Sequence, residues 1–123
     1  GPLRRRRFRW LSWRYAREIP VMKKAKTAVE AESMPLEALP NVGPAVAGYL
    51  REVGIRQPVD LKGQDPYVLF QQLCGQTGVE YDPCLLDTFI AATRFMAGDP
   101  PTPWYRYTKE RQKTLQATAI RTS

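Results

Sequence analysis

An all-α fold is what this sequence predicts, and three observations predict it. Apolar residues recur at three- and four-residue spacing, proline and aspartate–proline pairs stand where helices would begin with glycines where they would end, and strand signals are almost missing. At 123 residues, with 43% apolar and 25% charged residues, the chain has room for one packed domain plus tails. The expected architecture is a compact bundle of about five helices over residues 33–99. A basic tail precedes it over residues 1–32, and a Pro/aromatic strap with a basic tail follows over residues 100–123, the tails being partly disordered.

Residues 1–21, GPLRRRRFRWLSWRYAREIPV, interleave the Arg4–Arg7 block with Phe8, Trp10, Trp13 and Tyr15. Such a segment can bind phosphates by charge and bases by stacking, or lie on an anionic membrane surface. Equally, a start at Gly1 followed by Met22-Lys23-Lys24-Ala25-Lys26 fits an added or upstream-translated extension. No apolar stretch follows the arginines, so no secretory signal is expected, and none reaches the roughly 20 residues of a membrane-spanning helix.

Lys23 to Ser33 has no apolar stripe wide enough to pack and reads as a frayed helix or linker, with the globular part starting near Met34. Ser33 is expected to cap a first short helix through Leu36 and Leu39, with Glu37 in its early turns and Pro40 stopping it. Val46, Ala47, Leu50 and Val53 form the stripe of an amphipathic helix; Pro44 suits its first position and Gly54 its left-handed end. Gln57 to Leu61 suggests a short helix or turn ended by Lys62-Gly63. Asp65 then caps a helix with Pro66 first, Val68, Leu69, Leu73 and Cys74 inward, and Gly75 or Gly78 closing it. Asp82-Pro83 repeats the device ahead of Leu85, Leu86, Phe89, Ile90, Ala92, Phe95 and Met96, the last long core helix. Pro100 to Pro103 is an extended strap that carries Trp104, Tyr105 and Tyr107 back across the bundle. Beyond it, Lys109 to Ser123 is a basic tail with the makings of a weak helix.

Histidine is absent and Cys74 and Cys84 are the only cysteines, so one copy of the chain offers no His general base and no four-ligand zinc site. A non-enzyme without catalytic residues, cofactor or metal is expected. The two thiols read as small buried hydrophobes, reduced in the cytoplasm; a thiol or soft-metal role beside Asp82 or Asp87 is the alternative. Asp65 and Asp82, which precede prolines, explain themselves as caps. The net charge of +7 lies in the ends: residues 1–26 hold ten Lys/Arg against one Glu, residues 27–99 four against ten acids, and residues 100–123 five against one Glu. Nucleic-acid affinity beyond weak would therefore draw on Lys23–Lys26 and Arg106–Lys113.

The informative stretch is Leu39-Pro40-Asn41-Val42-Gly43-Pro44-Ala45-Val46-Ala47-Gly48-Tyr49-Leu50, a tight turn feeding a helix N-terminus. Unpaired amides and the positive end of the helix dipole gather there, which suits an anion. Gly43 lets a phosphate oxygen approach the backbone, Asn41 tolerates a left-handed conformation, and Val42 points inward as an apolar pin. These residues resemble the helix-hairpin-helix motif of DNA repair and recombination proteins, with Asn41 where that motif usually has glycine. The resemblance implies a sequence-independent grip on a DNA phosphate by Asn41, Val42, Gly43, Ala45 and Val46, with Arg51 and Arg56 as auxiliary basic residues.

From Leu36 to about Glu110, the succession LPNVGPAVAGYLREVGI, DLKGQDPYVLFQQLCGQTG, YDPCLLDTFIAATRF and PWYRYTKER resembles the small bacterial family of pathogenicity-locus or mitomycin-resistance proteins. That resemblance implies a tandem helix-hairpin-helix bundle. Its second, degenerate hairpin would fall near Gly75–Gly78 and Tyr81–Pro83, where Glu80 and Asp82 would repel phosphate. The expected partner is the DNA backbone, bound weakly and without sequence preference, by a cytoplasmic accessory to DNA metabolism or repair that does not insert into membranes. The alternative is a protein–protein adaptor of the same fold whose acidic face docks a basic partner.

Overall fold

The computed structural model describes the backbone of residues 23–122 and the side chains of residues 23–117. The arginine–aromatic segment of residues 1–21, and the readings made of it, lie outside the described residues. Among the described residues five α-helices follow in order: α1 (Ala28–Ala31), α2 (Pro44–Glu52), α3 (Pro66–Thr77), α4 (Pro83–Met96) and α5 (Thr108–Thr122). Short 3₁₀ turns lie at Leu36–Ala38, Pro58–Leu61 and Trp104–Tyr107, and no strand occurs among the described residues.

Local chemistry fixes the helix starts as the sequence predicts. Proline opens α2, α3 and α4, where a missing donor costs nothing. The Asp65 carboxylate accepts from the Tyr67 amide and the Asp82 carboxylate from the Cys84 amide, each at 2.9 Å. Gly54 and Gly78 follow α2 and α3 at φ 89° and 67°, the left-handed turn that stops a helix.

Helix α4 is the centre of the bundle. Every residue from Leu86 to Thr93 is buried, so it is enclosed on all sides rather than along one stripe. Leu36, Leu39, Val42, Leu50, Leu61, Leu69 and Leu73 converge with Phe89 and Phe95 in one core, and Phe70 meets Phe89 edge-on at 6.2 Å. Trimming one such buried leucine to alanine costs about 2–5 kcal/mol.

Four expectations are corrected. The packed unit starts before Met34, because Ala25 and Ala31 are buried in the core and the Ala25 amide donates to the Ala38 carbonyl at 2.7 Å. Alanines need no wide stripe to pack closely, which is why hydrophobic spacing gave no signal there. Ser33 caps nothing: its hydroxyl turns back to the Glu30 carbonyl, and the expected first helix is only the 3₁₀ turn after Pro35. Val68 is 48% exposed rather than inward, and Phe70 packs on the core in its place. Cys84 is exposed and Cys74 half-buried, so neither is the buried hydrophobe expected, and both thiols are free.

The C-terminal segment is docked. Asp87 is fully buried in α4 and accepts from the Thr108 hydroxyl and from Arg111 Nε, both at 2.8 Å. Arg111 is itself largely buried, and the Asp87 hydrogen bond holds its guanidinium above the usual pKa. Arg94 pairs with Glu110 at 2.7 Å and lies 5.8 Å over the Tyr107 ring. The strap lies back across the bundle as expected, its Trp104–Tyr107 turn packed on α4.

Candidate nucleic-acid interface

The turn into α2 is built from few bonds. The Val42 amide donates to the Leu39 carbonyl at 3.1 Å, and the chain reverses through Asn41 at φ 68°, which asparagine tolerates better than most residues. Val42 is buried and pins the turn to the core. Gly43 is extended at φ −93°, ψ −175°, with its carbonyl taking the Ala47 amide at 2.9 Å. Among the described residues no acceptor meets the amides of Gly43, Ala45 or Val46, and no side chain caps α2. A Cβ built on Gly43 would meet nothing within 4 Å, and Pro44 and Ala45 beside it are exposed.

A cation braces the turn from behind. Lys24 Nζ donates to the carbonyls of Glu37, Leu39 and Val42 at 2.7, 3.2 and 2.8 Å. Burial lowers its pKa, and the nearby Glu37 carboxylate works against that shift. Sequence reasoning placed Lys24 in a basic tail; its only advance signal was a lysine just ahead of the domain with no acidic residue beside it.

Three predicted site residues have other duties. The Asn41 side chain clamps the strap: its Nδ2 donates to the Thr102 carbonyl at 2.8 Å and its Oδ1 accepts from the Trp104 amide at 3.3 Å. The Val42 amide is spent inside the turn. Arg51 is held by both oxygens of Glu37 at 3.1 and 2.9 Å, so its charge is largely neutralised. Burial pushes Glu37 up, but hydrogen bonds from Arg51 and the backbone, with the charges of Arg51 and Lys24, bring it below the usual carboxylate value. Arg56 is exposed, and among the described residues its side chain makes no ion pair. Of the predicted set, Gly43, Ala45 and Val46 keep free amides.

The turn into α4 is closed. Asp82 occupies the helix start, its pKa lowered by the Cys84 amide and then the Cys84 thiol. The same carboxylate pushes the Cys84 thiol up, away from thiolate reactivity. Among the described residues no three Cys, Asp or Glu side chains converge as metal ligands.

The fold and site together define a small all-α protein in which helix α2 starts without a side-chain cap, beside a proline–aromatic strap. The Pathogenicity locus (Cdd1) family model matches residues 30–113, and the chain belongs to that family. It is 40% identical over 80 residues to the mitomycin resistance protein McrB of Streptomyces lavendulae, a match covering 65% of this chain and 76% of that protein. No solved structure matches the chain.

Proposed function

We propose that the chain is a non-enzymatic, helix-hairpin-helix-type module that grips the nucleic-acid backbone without reading sequence. The observation that carries this reading is the trio of free amides on Gly43, Ala45 and Val46 at the exposed, uncapped start of a nine-residue helix. A phosphate oxygen there would accept those amides at the positive end of the helix dipole, with the Lys24 ammonium adding charge from behind. Single-phosphate grips bind weakly, so exposed Arg56, Arg106 and Lys109 would supply the remaining affinity. No helix among the described residues is long and apolar enough to cross a membrane; the proposed role lies in the cytoplasm, beside DNA. Likeness to a protein named for mitomycin resistance makes survival of mitomycin a phenotype to score for this chain.

The test is duplex affinity in a salt titration with Gly43→Val, which keeps the fold because its side chain enters open space. Affinity should fall well below that of the parent chain; unchanged affinity would remove the grip. The acid-rich middle of the chain, ten acids against four bases over residues 27–99, favours one second reading, an adaptor whose acidic surface meets a basic protein. That reading requires no binding to duplex or single-stranded DNA, and partner binding that survives nuclease.

A further inference from the structure

Helix α3 turns a charge-free face to solvent. Its exposed residues are Val68, Gln71, Gln72, Gly75 and Gln76, which recur at three- and four-residue spacing and so lie on one side of the helix. No charged residue occurs over residues 66–79, in a chain that is 25% charged. The exposed positions of α2 and α5, by contrast, include Arg51, Glu52, Lys109 and Lys113. Depletion of charge, more than bulk apolarity, is what marks the centre of a protein–protein interface.

Val68 and Gly75 give that face a knob and a notch. Val68 is a branched apolar side chain in a residue 48% exposed, and Gly75 follows it about two helical turns later on the same side. Gly75 sits inside α3 without a left-handed φ, where glycine weakens a helix relative to alanine. A Cβ built on it would meet nothing within 4 Å, so no neighbour among the described residues requires the missing side chain. Close approach of an outside surface would require it.

We propose that this face pairs with the same face of a second copy of the chain about a two-fold axis, the two α3 helices running antiparallel. In that register Val68 of each copy enters the notch over the partner's Gly75, and Gln71 meets the partner's Gln72, amide to amide, across the axis. The occupant is a second copy because knob and notch stand on one face, so a reversed copy satisfies both at once and every contact is made twice. A partner chosen by unlike charge has nothing here to recognise. Five residues a side fall well short of the roughly 20–30 of a stable interface, so the pair is weak and forms with rising concentration.

Sedimentation equilibrium of the full chain, run up to about 1 mM, tests it. The parent should pass from monomer to dimer and no further, as closed two-fold pairing requires. Gly75→Ala should raise the thermal midpoint in dilute solution yet weaken the dimer about tenfold, since each added methyl overfills a notch. The double variant Gln71→Glu with Gln72→Glu, and separately Gln71→Lys with Gln72→Lys, should each stay monomeric, while an equimolar mixture of the two should recover the dimer. A parent chain that is monomeric throughout overturns the pairing and leaves the face to a different protein. A dimer unaffected by Gly75→Ala, or by the like-charged double variants, is built on another surface and overturns it as well.

Discussion

The turns into α2 and α4 use the same backbone device with opposite electrostatics. Each has a left-handed residue, Asn41 at φ 68° or Gly78 at φ 67°, and each delivers the chain to a proline at the first helical position. In the first, the residue before the proline is Gly43 and three amides stay free; in the second it is Asp82, whose carboxylate already takes the Cys84 amide. A lysine ammonium backs the first turn, whereas Glu80 and Asp82 stand exposed at the second. A side chain at one cap position thus decides whether a helix start serves stability or stays open to an outside anion.

The largest effect should come from the frame that holds strap and turns together. Asp87→Ala leaves Arg111 and Thr108 without their buried partner and should cost about 3–5 kcal/mol in urea unfolding, with loss of α5 helicity. A cost below about 1 kcal/mol would mean that α5 is not docked through this pair.

Next comes a transplant of the second cap onto the first turn. Gly43→Asp should abolish duplex binding yet raise the unfolding free energy by a few tenths to about 1 kcal/mol, since the new carboxylate caps α2. Retained binding would show that an anion does not need those amides. Asn41→Ala, which loses both strap bonds and keeps an unfavourable left-handed Cβ, should cost about 2 kcal/mol in the same assay. Asn41→Gly should cost less than half of that, because glycine relieves the backbone.

The smallest effect concerns the closed turn. Asp82 has a lowered pKa in the folded chain, so its cap stabilises fully above the unfolded carboxylate value and is lost as pH falls through the lowered one. Asp82→Ala should therefore melt earlier than the parent chain at neutral pH, with the gap closing in acid. A gap independent of pH would assign the cost to something other than the carboxylate.

Much of the frame was legible because its signals are local. Pro44, Pro66 and Pro83 mark helix starts, Asp65 and Asp82 cap them, and Gly54 and Gly78 stop them, each within a few residues. What escaped depends on partners far along the chain. Asn41 meets a strap 61 residues away, and Asp87 meets Arg111 24 residues away; neither pairing leaves a periodic trace. A signal for the second did exist: Asp87 stands inside the apolar run Leu85-Leu86 and Phe89-Ile90, and a carboxylate on an enclosed helix demands a cation. Lys24 escaped because its partners are carbonyls, which every residue carries. Within the site, the bare cap at Gly43 was readable from sequence, whereas the diversion of Asn41, Val42 and Arg51 to internal bonds was not.

The contrast between the two turns is tested most directly by following backbone amide resonances of the full chain as a short DNA is added. Gly43, Ala45 and Val46 should shift most, in a saturable way that added salt reverses, while Cys84 and Leu85 stay in place. Shifts confined to the basic segments at either end, with those three amides unmoved, would contradict it.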